Sequence, residues 1–153
     1  MTEQSLCNGW TGTVRGQPSV GQEAQRRRKT STTDILRFTE MTGDRNPLHY
    51  EEAAASRTFG GLIVQGGITS GLLNAVVAED LPGPGSVFLE VKWKFVKAVR
   101  AGEEILARAR VVSVRSDKPV CALETSVVNE AGELCLLGTA VTYTVPLNEA
   151  SPT

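Results

Sequence analysis

The chain has 153 residues and a formal net charge of −1, and 41% of its residues are hydrophobic. This length suits one domain with a substantial core. The near-neutral charge disfavours a general polyanion binder, and an aromatic content of 5% disfavours stacking on single-stranded nucleic acid.

Cysteine and histidine are scarce, which limits the metal sites that the chain can form. Cys7, Cys121 and Cys135 form no CxxC pair, and His49 is the single histidine. A zinc site would therefore lack ligands, and we interpret the cysteines as reduced thiols of a cytoplasmic protein. No apolar run is long enough to predict a membrane span, and the N-terminus lacks the apolar stretch of a signal peptide.

The two ends of the chain are predicted to lie outside the folded domain. Residues 1–19 mix Gly, Gln, Ser and Pro without periodicity, so we expect a flexible N-terminal tail. Trp10 is the exception, because it could hold the tail against a surface. Residues 147–153 are predicted to be a C-terminal tail, which leaves 20–146 as the domain.

A charged strand and two short helices are the first predicted elements. The basic run QRRRKTST at 25–32 fits an edge strand protected by charge better than a phosphate-binding patch. In the next segment, TTDILRFTEMTG, Thr33 or Asp34 can cap a helix that ends at Gly43. A further helical turn is expected in EEAAAS, just after His49.

A buried helix is predicted at 66–80, GGITSGLLNAVVAED. Its apolar residues leave almost no polar face, which is typical of a helix inside a core. Glycine costs about 0.5–1 kcal/mol relative to alanine inside a helix. Gly66, Gly67 and Gly71 therefore indicate close backbone packing or a ligand. The segment LPGPGS ends the helix.

After residue 86 the hydrophobic period changes to two. VFLEVKWKF predicts a half-buried strand whose apolar face consists of Val87, Leu89, Val91, Trp93 and Phe95. Three more strands are expected in EEILARARVVSV, VCALETSVV and ELCLLGTAVTYTV, with turns at DKP and NEAG. The predicted fold is α+β, a single domain in which an antiparallel sheet wraps around a long central helix.

The segment TGDRNPLHY at 42–50 brings a carboxylate close to the histidine. Histidine titrates near neutral pH and a carboxylate can accept a proton, so Asp44 and His49 could form an acid/base pair. Pro47 fixes its own backbone and keeps Asn46 extended, which predicts a rigid loop. From the residues alone, a turn with capping side chains and a surface histidine explains the segment equally well.

This segment and the predicted helix carry a resemblance to a known family. FTEMTGDRNPLH, Ala55 and the stretch from FGGLIVQGGITSG to FVKAVRAGE are similar to the MaoC-like (R)-specific enoyl-CoA hydratases, the hydratase 2 members of the hot-dog superfamily. The resemblance covers roughly residues 20 to 145 in element order. It implies a hot-dog domain and a hydro-lyase of fatty acid metabolism.

The resemblance implies reversible hydration of trans-2-enoyl-CoA to (R)-3-hydroxyacyl-CoA. Asp44 and His49 would bind the attacking water, and Asn46 would orient them. One group would take a proton as the water attacks C3, and the other group or the same water network would protonate C2. The N–H of Gly66, at a helix N-terminus, would bind the thioester carbonyl oxygen. No metal or cofactor is implied, because coenzyme A is part of the substrate.

Two positions depart from the family pattern. Family members often have histidine where this chain has Gln65, and many have serine near the position of Asn74. Both amides could still bind substrate but cannot titrate near pH 7, which leaves proton transfer to Asp44 and His49. The resemblance also implies a homodimer and leaves open whether coenzyme A or an acyl carrier protein delivers the acyl group.

Two alternative functions remain open. A hot-dog thioesterase would need a carboxylate on or near the core helix, but 66–78 contains no Asp or Glu, and Glu79 and Asp80 lie at its far end. A non-catalytic acyl-thioester binding subunit would need neither Asp44 nor His49.

Overall fold

The computed structural model describes residues 8–148 and contains one five-stranded antiparallel sheet with its helices between the first two strands. The strands are β1 (Glu23–Lys29), β2 (Ser86–Phe95), β3 (Glu104–Val114), β4 (Val120–Val128) and β5 (Leu134–Thr144). The helices are α1 (Thr32–Thr42), α2 (Glu52–Phe59) and α3 (Gly66–Ala75), and a 3-10 turn spans Pro47–His49. The predicted α+β class and the expected helical turn after His49 are confirmed.

The order of strands in the sheet is β1-β3-β4-β5-β2. The β3, β4 and β5 strands follow one another through short turns at 115–119 and 129–133, where the sequence predicted them. The β1 strand pairs with β3, and β2 crosses over to pair with β5. Within residues 8–148, β1 and β2 are therefore the two edges of the sheet.

The central helix packs one side against the sheet. Leu73, Val76 and Val77 are at most 1% exposed and share a core with Leu123 and Leu136 of the sheet. After Ala75 the helix continues as a π-helical segment, Val76–Asp80. The opposite side is exposed, so the prediction of a helix buried all round is wrong for the single protomer. The exposed residues on that side are Gly66, Gly67, Gly71 and Asn74.

The three glycines of α3 differ in their surroundings. A Cβ at Gly67 would lie 2.3 Å from Cζ of Phe38, and a Cβ at Gly66 would lie 3.3 Å from Cε2 of Phe95. These two glycines permit close packing of aromatic rings on the helix. A Cβ at Gly71 would meet no atom of the described chain within 4 Å.

The helix α1 begins two residues earlier than Thr33, the earlier of the two predicted caps, would allow. Oγ of Ser31 accepts a hydrogen bond from N–H of Asp34 at 3.2 Å, and Oδ2 of Asp34 accepts one from N–H of Ser31 at 3.2 Å. This reciprocal capping box makes Ser31 the cap, so the choice of Thr33 or Asp34 was wrong. The predicted end at Gly43 is confirmed, with φ of 85°.

The β2 strand is more exposed than predicted. Its pairing with β5 shifts between Phe88 and Glu90, which breaks the strict alternation of faces. Phe88 and Trp93 pack on the core with their rings edge to face, 5.6 Å between centroids. Of the five predicted inward residues, only Trp93 packs on the core, whereas Phe88 was not predicted to do so. The other four are largely exposed, at 51% for Val87, 58% for Leu89, 42% for Val91 and 55% for Phe95.

The β1 strand is a charged edge, as predicted. Arg26 pairs with Asp80 at 2.7 Å, and Arg28 pairs with Asp34 at 2.5 Å. The latter pair joins the edge strand to the first turn of α1. No helix within residues 8–148 is long and apolar enough to cross a membrane.

The described part of the predicted N-terminal tail packs against the domain. Trp10 is 2% exposed, and its Nε1 donates a hydrogen bond to the carbonyl of Arg115 at 2.6 Å. The expectation that Trp10 holds the segment to a surface is therefore confirmed. Near the other end of the described chain, N–H of Asn148 donates to the carbonyl of Gly12 at 2.7 Å. The mobility of the two tails stays a prediction, and Cys7 and residues 149–153 lie outside the described residues.

Candidate active site

The predicted acid/base loop joins α1 to the 3-10 turn at Pro47–His49. Asn46 caps this turn, because its Oδ1 accepts a hydrogen bond from N–H of Leu48 at 3.1 Å. This confirms that Asn46 bonds to nearby backbone and stiffens the loop. Asn46 also donates its own N–H to Oδ1 of Asp44 at 3.0 Å, so it holds the carboxylate directly.

His49 is buried and has one ring nitrogen fixed. Its Nδ1 lies 2.7 Å from the carbonyl oxygen of Ile63. A carbonyl can only accept, so Nδ1 carries the hydrogen and Nε2 of the neutral imidazole is left as an acceptor. The side chain is 7% exposed, which excludes the alternative of a surface histidine.

Asp44 completes a pair of converging acceptors. Its Oδ2 lies 3.7 Å from Nε2 of His49, and its side chain is 36% exposed. One water molecule could donate a hydrogen to each of these two atoms, which leaves an oxygen lone pair free for attack. The loop therefore brings together the two titratable groups singled out from the sequence.

Gly66 lies at the N-terminus of α3, as predicted. Within residues 8–148 its N–H has no hydrogen-bond partner. Such an unpaired donor at the positive end of a helix is suited to an oxygen that gains negative charge. The ring of Phe95 packs close to this glycine.

The two departures from the family pattern lie in different surroundings. Gln65 is 1% exposed, and its Nε2 donates to the carbonyl of Ile35 at 3.2 Å and to Oγ1 of Thr39 at 3.3 Å. Its buried Oε1 has no partner within the described chain. Asn74 is exposed on the outer side of α3, about 12 Å along the axis from Gly66 at 1.5 Å per residue.

Sequence reasoning missed Thr39 and Tyr50. Oγ1 of Thr39 donates to the backbone carbonyl of Asp44 at 2.7 Å and also contacts the hydroxyl of Tyr50. The one available signal was position, because Thr39 follows Ile35 by one helical turn and so shares its buried face. The long-range partner Gln65 left no such signal.

Two cavities flank the exposed side of α3. One of about 350 Å³ lies between α1 and α3, and another of about 370 Å³ lies between α3 and β2. Gly71 lines both, and Asn74 lines the second. Neither cavity is lined by Asp44 or His49. Apolar residues that line the first are Phe38, Met41, Ile68, Leu72 and Ala75.

Two cysteines and one carboxylate outside this loop are poorly suited to catalysis. Burial raises the pKa of the Cys121 and Cys135 thiols, which disfavours the thiolate that nucleophilic chemistry needs. A hydrogen bond from Arg26 lowers the pKa of Asp80 and commits that carboxylate to an ion pair. No group of three or more potential metal ligands occurs within residues 8–148.

Comparisons with known proteins identify the family of the chain. The family model described as a MaoC-like domain matches residues 15–131. An (R)-specific enoyl-CoA hydratase of Aeromonas caviae is 33% identical over 123 residues, which cover 80% of this chain and 92% of that protein. A 3-hydroxybutyryl-CoA dehydratase of Methylorubrum extorquens is 34% identical over 134 residues, which cover 87% of this chain and 85% of that protein.

A solved structure extends the likeness to the fold. The structure of the A. caviae (R)-hydratase involved in PHA biosynthesis matches with a TM-score of 0.79 at 31% identity. The match covers 84% of this chain and 98% of that chain. The hot-dog fold expected from the sequence is thereby confirmed.

Proposed function

Because the chain belongs to the MaoC-like domain family, we propose that it catalyses the reversible hydration of trans-2-enoyl-CoA to (R)-3-hydroxyacyl-CoA. The chain is an enzyme of the hydro-lyase class. The observation that carries the proposed chemistry is the convergence of two proton acceptors, Oδ2 of Asp44 and Nε2 of His49, at 3.7 Å. The names of the similar proteins support the choice of an enoyl-CoA substrate.

In the proposed mechanism, Asp44 and His49 hold one water by its two hydrogens. Nε2 of His49 takes a proton as the water oxygen attacks C3 of the enoyl thioester. The pair then returns a proton to C2, so both groups end in their starting state. In the reverse direction, the same pair removes the C2 proton and protonates the leaving hydroxyl.

The thioester carbonyl needs a donor, because its oxygen becomes negative as C3 is attacked. The N–H of Gly66 is available for this role, and it lies at the positive end of the α3 helix dipole. Removing one such donor in other enzymes costs about 10²–10³ in rate.

The apolar cavities beside α3 are suited to an acyl chain. We propose that the acyl group extends from Gly66 along the exposed side of α3, past Gly71 toward Asn74. Coenzyme A is the carrier that the similar proteins favour, and an acyl carrier protein is the alternative. We also propose a cytoplasmic location for the protein.

We propose a homodimer formed through β2. This edge strand exposes apolar side chains that a second copy would cover, and its free edge could pair with the same strand of that copy. The groove between α3 and β2, which includes Asn74, would then be closed by the partner. Light scattering that gave a monomer at micromolar concentration would exclude this dimer.

A hydration assay across enoyl-CoA chain lengths tests the function. Purified protein with no added metal should hydrate crotonyl-CoA or a longer substrate, read as loss of enoyl absorbance, and the product should be the (R) enantiomer. An (S) product, or complete dependence on a divalent ion, would contradict the proposal. Release of free thiol from acetyl-CoA would indicate a thioesterase, and binding without turnover would indicate a binding subunit.

Substitutions at the paired acceptors test the mechanism. Asp44→Asn keeps size but removes a proton acceptor, and His49→Gln removes the titratable ring. Each should lower kcat by about 10²–10⁴, as expected for general acid–base groups. The double variant should be little worse than the poorer single variant, because the two groups act on one water. Near wild-type kcat in both single variants, with normal melting, would show that the loop is only a turn.

A further inference from the structure

Asp44 is held through its backbone as well as its carboxylate. Oγ1 of Thr39 donates to the Asp44 carbonyl at 2.7 Å, and Oγ1 of Thr42 accepts from the Asp44 N–H at 3.1 Å. Thr42 in turn donates to the carbonyl of Phe38 at 2.8 Å. Two threonines in the last turn of α1 therefore hold both sides of the residue that carries the carboxylate.

The Thr39 hydroxyl is fully committed. It has one hydrogen and two lone pairs. The Asp44 carbonyl can only accept, so it takes the hydrogen, and Nε2 of Gln65 donates to one lone pair. The hydroxyl of Tyr50 must then donate to the other. Thr39 is 5% exposed, so water from bulk solvent has little access to its hydroxyl.

These partners tie together separate parts of the proposed site. Tyr50 directly follows His49, and Gln65 directly precedes Gly66. One hydroxyl thus links the backbone of the carboxylate to the segments that carry the imidazole and the proposed oxyanion donor. Each of the three partners contacts Thr39 through a hydrogen bond to its hydroxyl. Loss of the hydroxyl therefore removes three directional contacts.

We propose that Thr39 and Thr42 are positioning residues that fix the Asp44 carboxylate at its working distance from Nε2 of His49. The proposal rests on the proposed hydratase function. Its physical basis is that a displacement of about 1 Å in a catalytic group can cost about 10²-fold in rate. The threonines touch neither substrate nor water in this scheme.

The test compares Thr39→Val, which removes the hydroxyl at constant shape, with Thr39→Ser, which keeps it. Thr33→Val makes the same chemical change at an exposed position of α1 and serves as the matched control. With crotonyl-CoA, Thr39→Val should lower kcat by about 10–100-fold with KM little changed. The other two variants should stay close to wild type. Equal kcat in Thr39→Val and Thr39→Ser would overturn the proposal.

A second comparison separates positioning from a general loss of structure. In an Asp44→Asn background, Thr39→Val should cause little further loss of residual activity, because the group that it positions is already disabled. A full additional loss there would overturn the proposal. If melting shows that Thr39→Val is unfolded, variants of the exposed Thr42 test the proposal instead. Thr42→Val should lower kcat at an unchanged melting temperature, and Thr42→Ser should restore it. An unchanged kcat in Thr42→Val would overturn the proposal.

The two proposals fail in different ways. A wild-type protein without hydratase activity, or an Asp44→Asn variant with full activity, would contradict the proposed function itself. An active wild type and an inactive Asp44→Asn, together with a fully active and folded Thr39→Val, would contradict only the role of the threonines.

Discussion

The two edges of the sheet differ in how they meet solvent. At β1 the exposed side chains are charged except for Gln25, and Arg26 and Arg28 are engaged with carboxylates of the same chain. At β2 the exposed side chains include Leu89 and Phe95, at 58% and 55%. Charge on an edge strand blocks pairing with another chain, whereas an apolar edge invites it. This contrast supports the proposal that the sheet ends at β1 and that a second copy extends it at β2.

The largest expected effect comes from placing charge on the apolar edge. In Leu89→Lys, an ammonium would be buried without a partner in the proposed dimer, at a cost of about 3–5 kcal/mol. The dimer dissociation constant should rise by about 10²–10³-fold or more, and activity should fall with it if the dimer closes the acyl groove. Light scattering with a parallel hydration assay measures both.

Leu134→Lys is the matched control for that prediction. Leu134 is 45% exposed at the start of β5, which is not an edge strand. The control should remain dimeric and active. If Leu89→Lys is also dimeric, β2 is not the interface, and the proposed functional difference between the two sheet edges is wrong.

An intermediate effect is expected at the charged edge. Arg28→Met removes the partner of the Asp34 carboxylate, which is 7% exposed and also accepts the N–H of Ser31 in the capping box of α1. The free energy of unfolding should fall by about 1–2 kcal/mol, near the lower end for a charged hydrogen bond because Arg28 is 47% exposed. Urea denaturation of Arg28→Met against Arg27→Met measures the difference. Arg27 is more exposed and its pair with Glu104 is longer, at 3.5 Å, so an equal loss in both variants would contradict the reasoning.

The smallest effect is expected at the ion pair between Arg26 of β1 and Asp80. A hydrogen bond from Arg26 lowers the pKa of Asp80, so this pair contributes stability above the usual carboxyl pKa of 3.8 and loses it as pH falls through the lowered value. Arg26→Met should therefore melt slightly below wild type at pH 7, and the difference should vanish in strong acid or at high salt. A difference that grows in acid would reverse the assigned sign.

The sequence was sufficient for elements whose signal is local. The period of two after residue 86 predicted the four strands, although not the exposure of β2, and the charge on β1 and the glycine at the end of α1 each predicted what the structure contains. The loop from Asp44 to His49 was also predictable, because Pro47 and Asn46 restrict its backbone. The family resemblance named the same pair and added Gly66.

Other features depend on contacts that the local pattern does not contain. The segment TSTTD offers several residues able to cap α1, and only the reciprocal bonds between Ser31 and Asp34 select among them. The pairing of β2 with β5 shifts between Phe88 and Glu90, which the simple alternation did not predict. The bond from Gln65 to Thr39 joins residues 26 positions apart, so neither residue predicts it alone.

Trp10 and Trp93 are the only two tryptophans of the chain, and their positions provide fluorescence reporters for the core and for the β2 edge. Trp10 is sealed in the core, so its emission should follow global unfolding. Trp93 lies on β2, with its indole N–H bonded to Thr125 at 3.0 Å and its ring half-buried. Its emission should shift when the apolar edge is covered. A Trp10→Phe protein would therefore report association by fluorescence alone, without any added label.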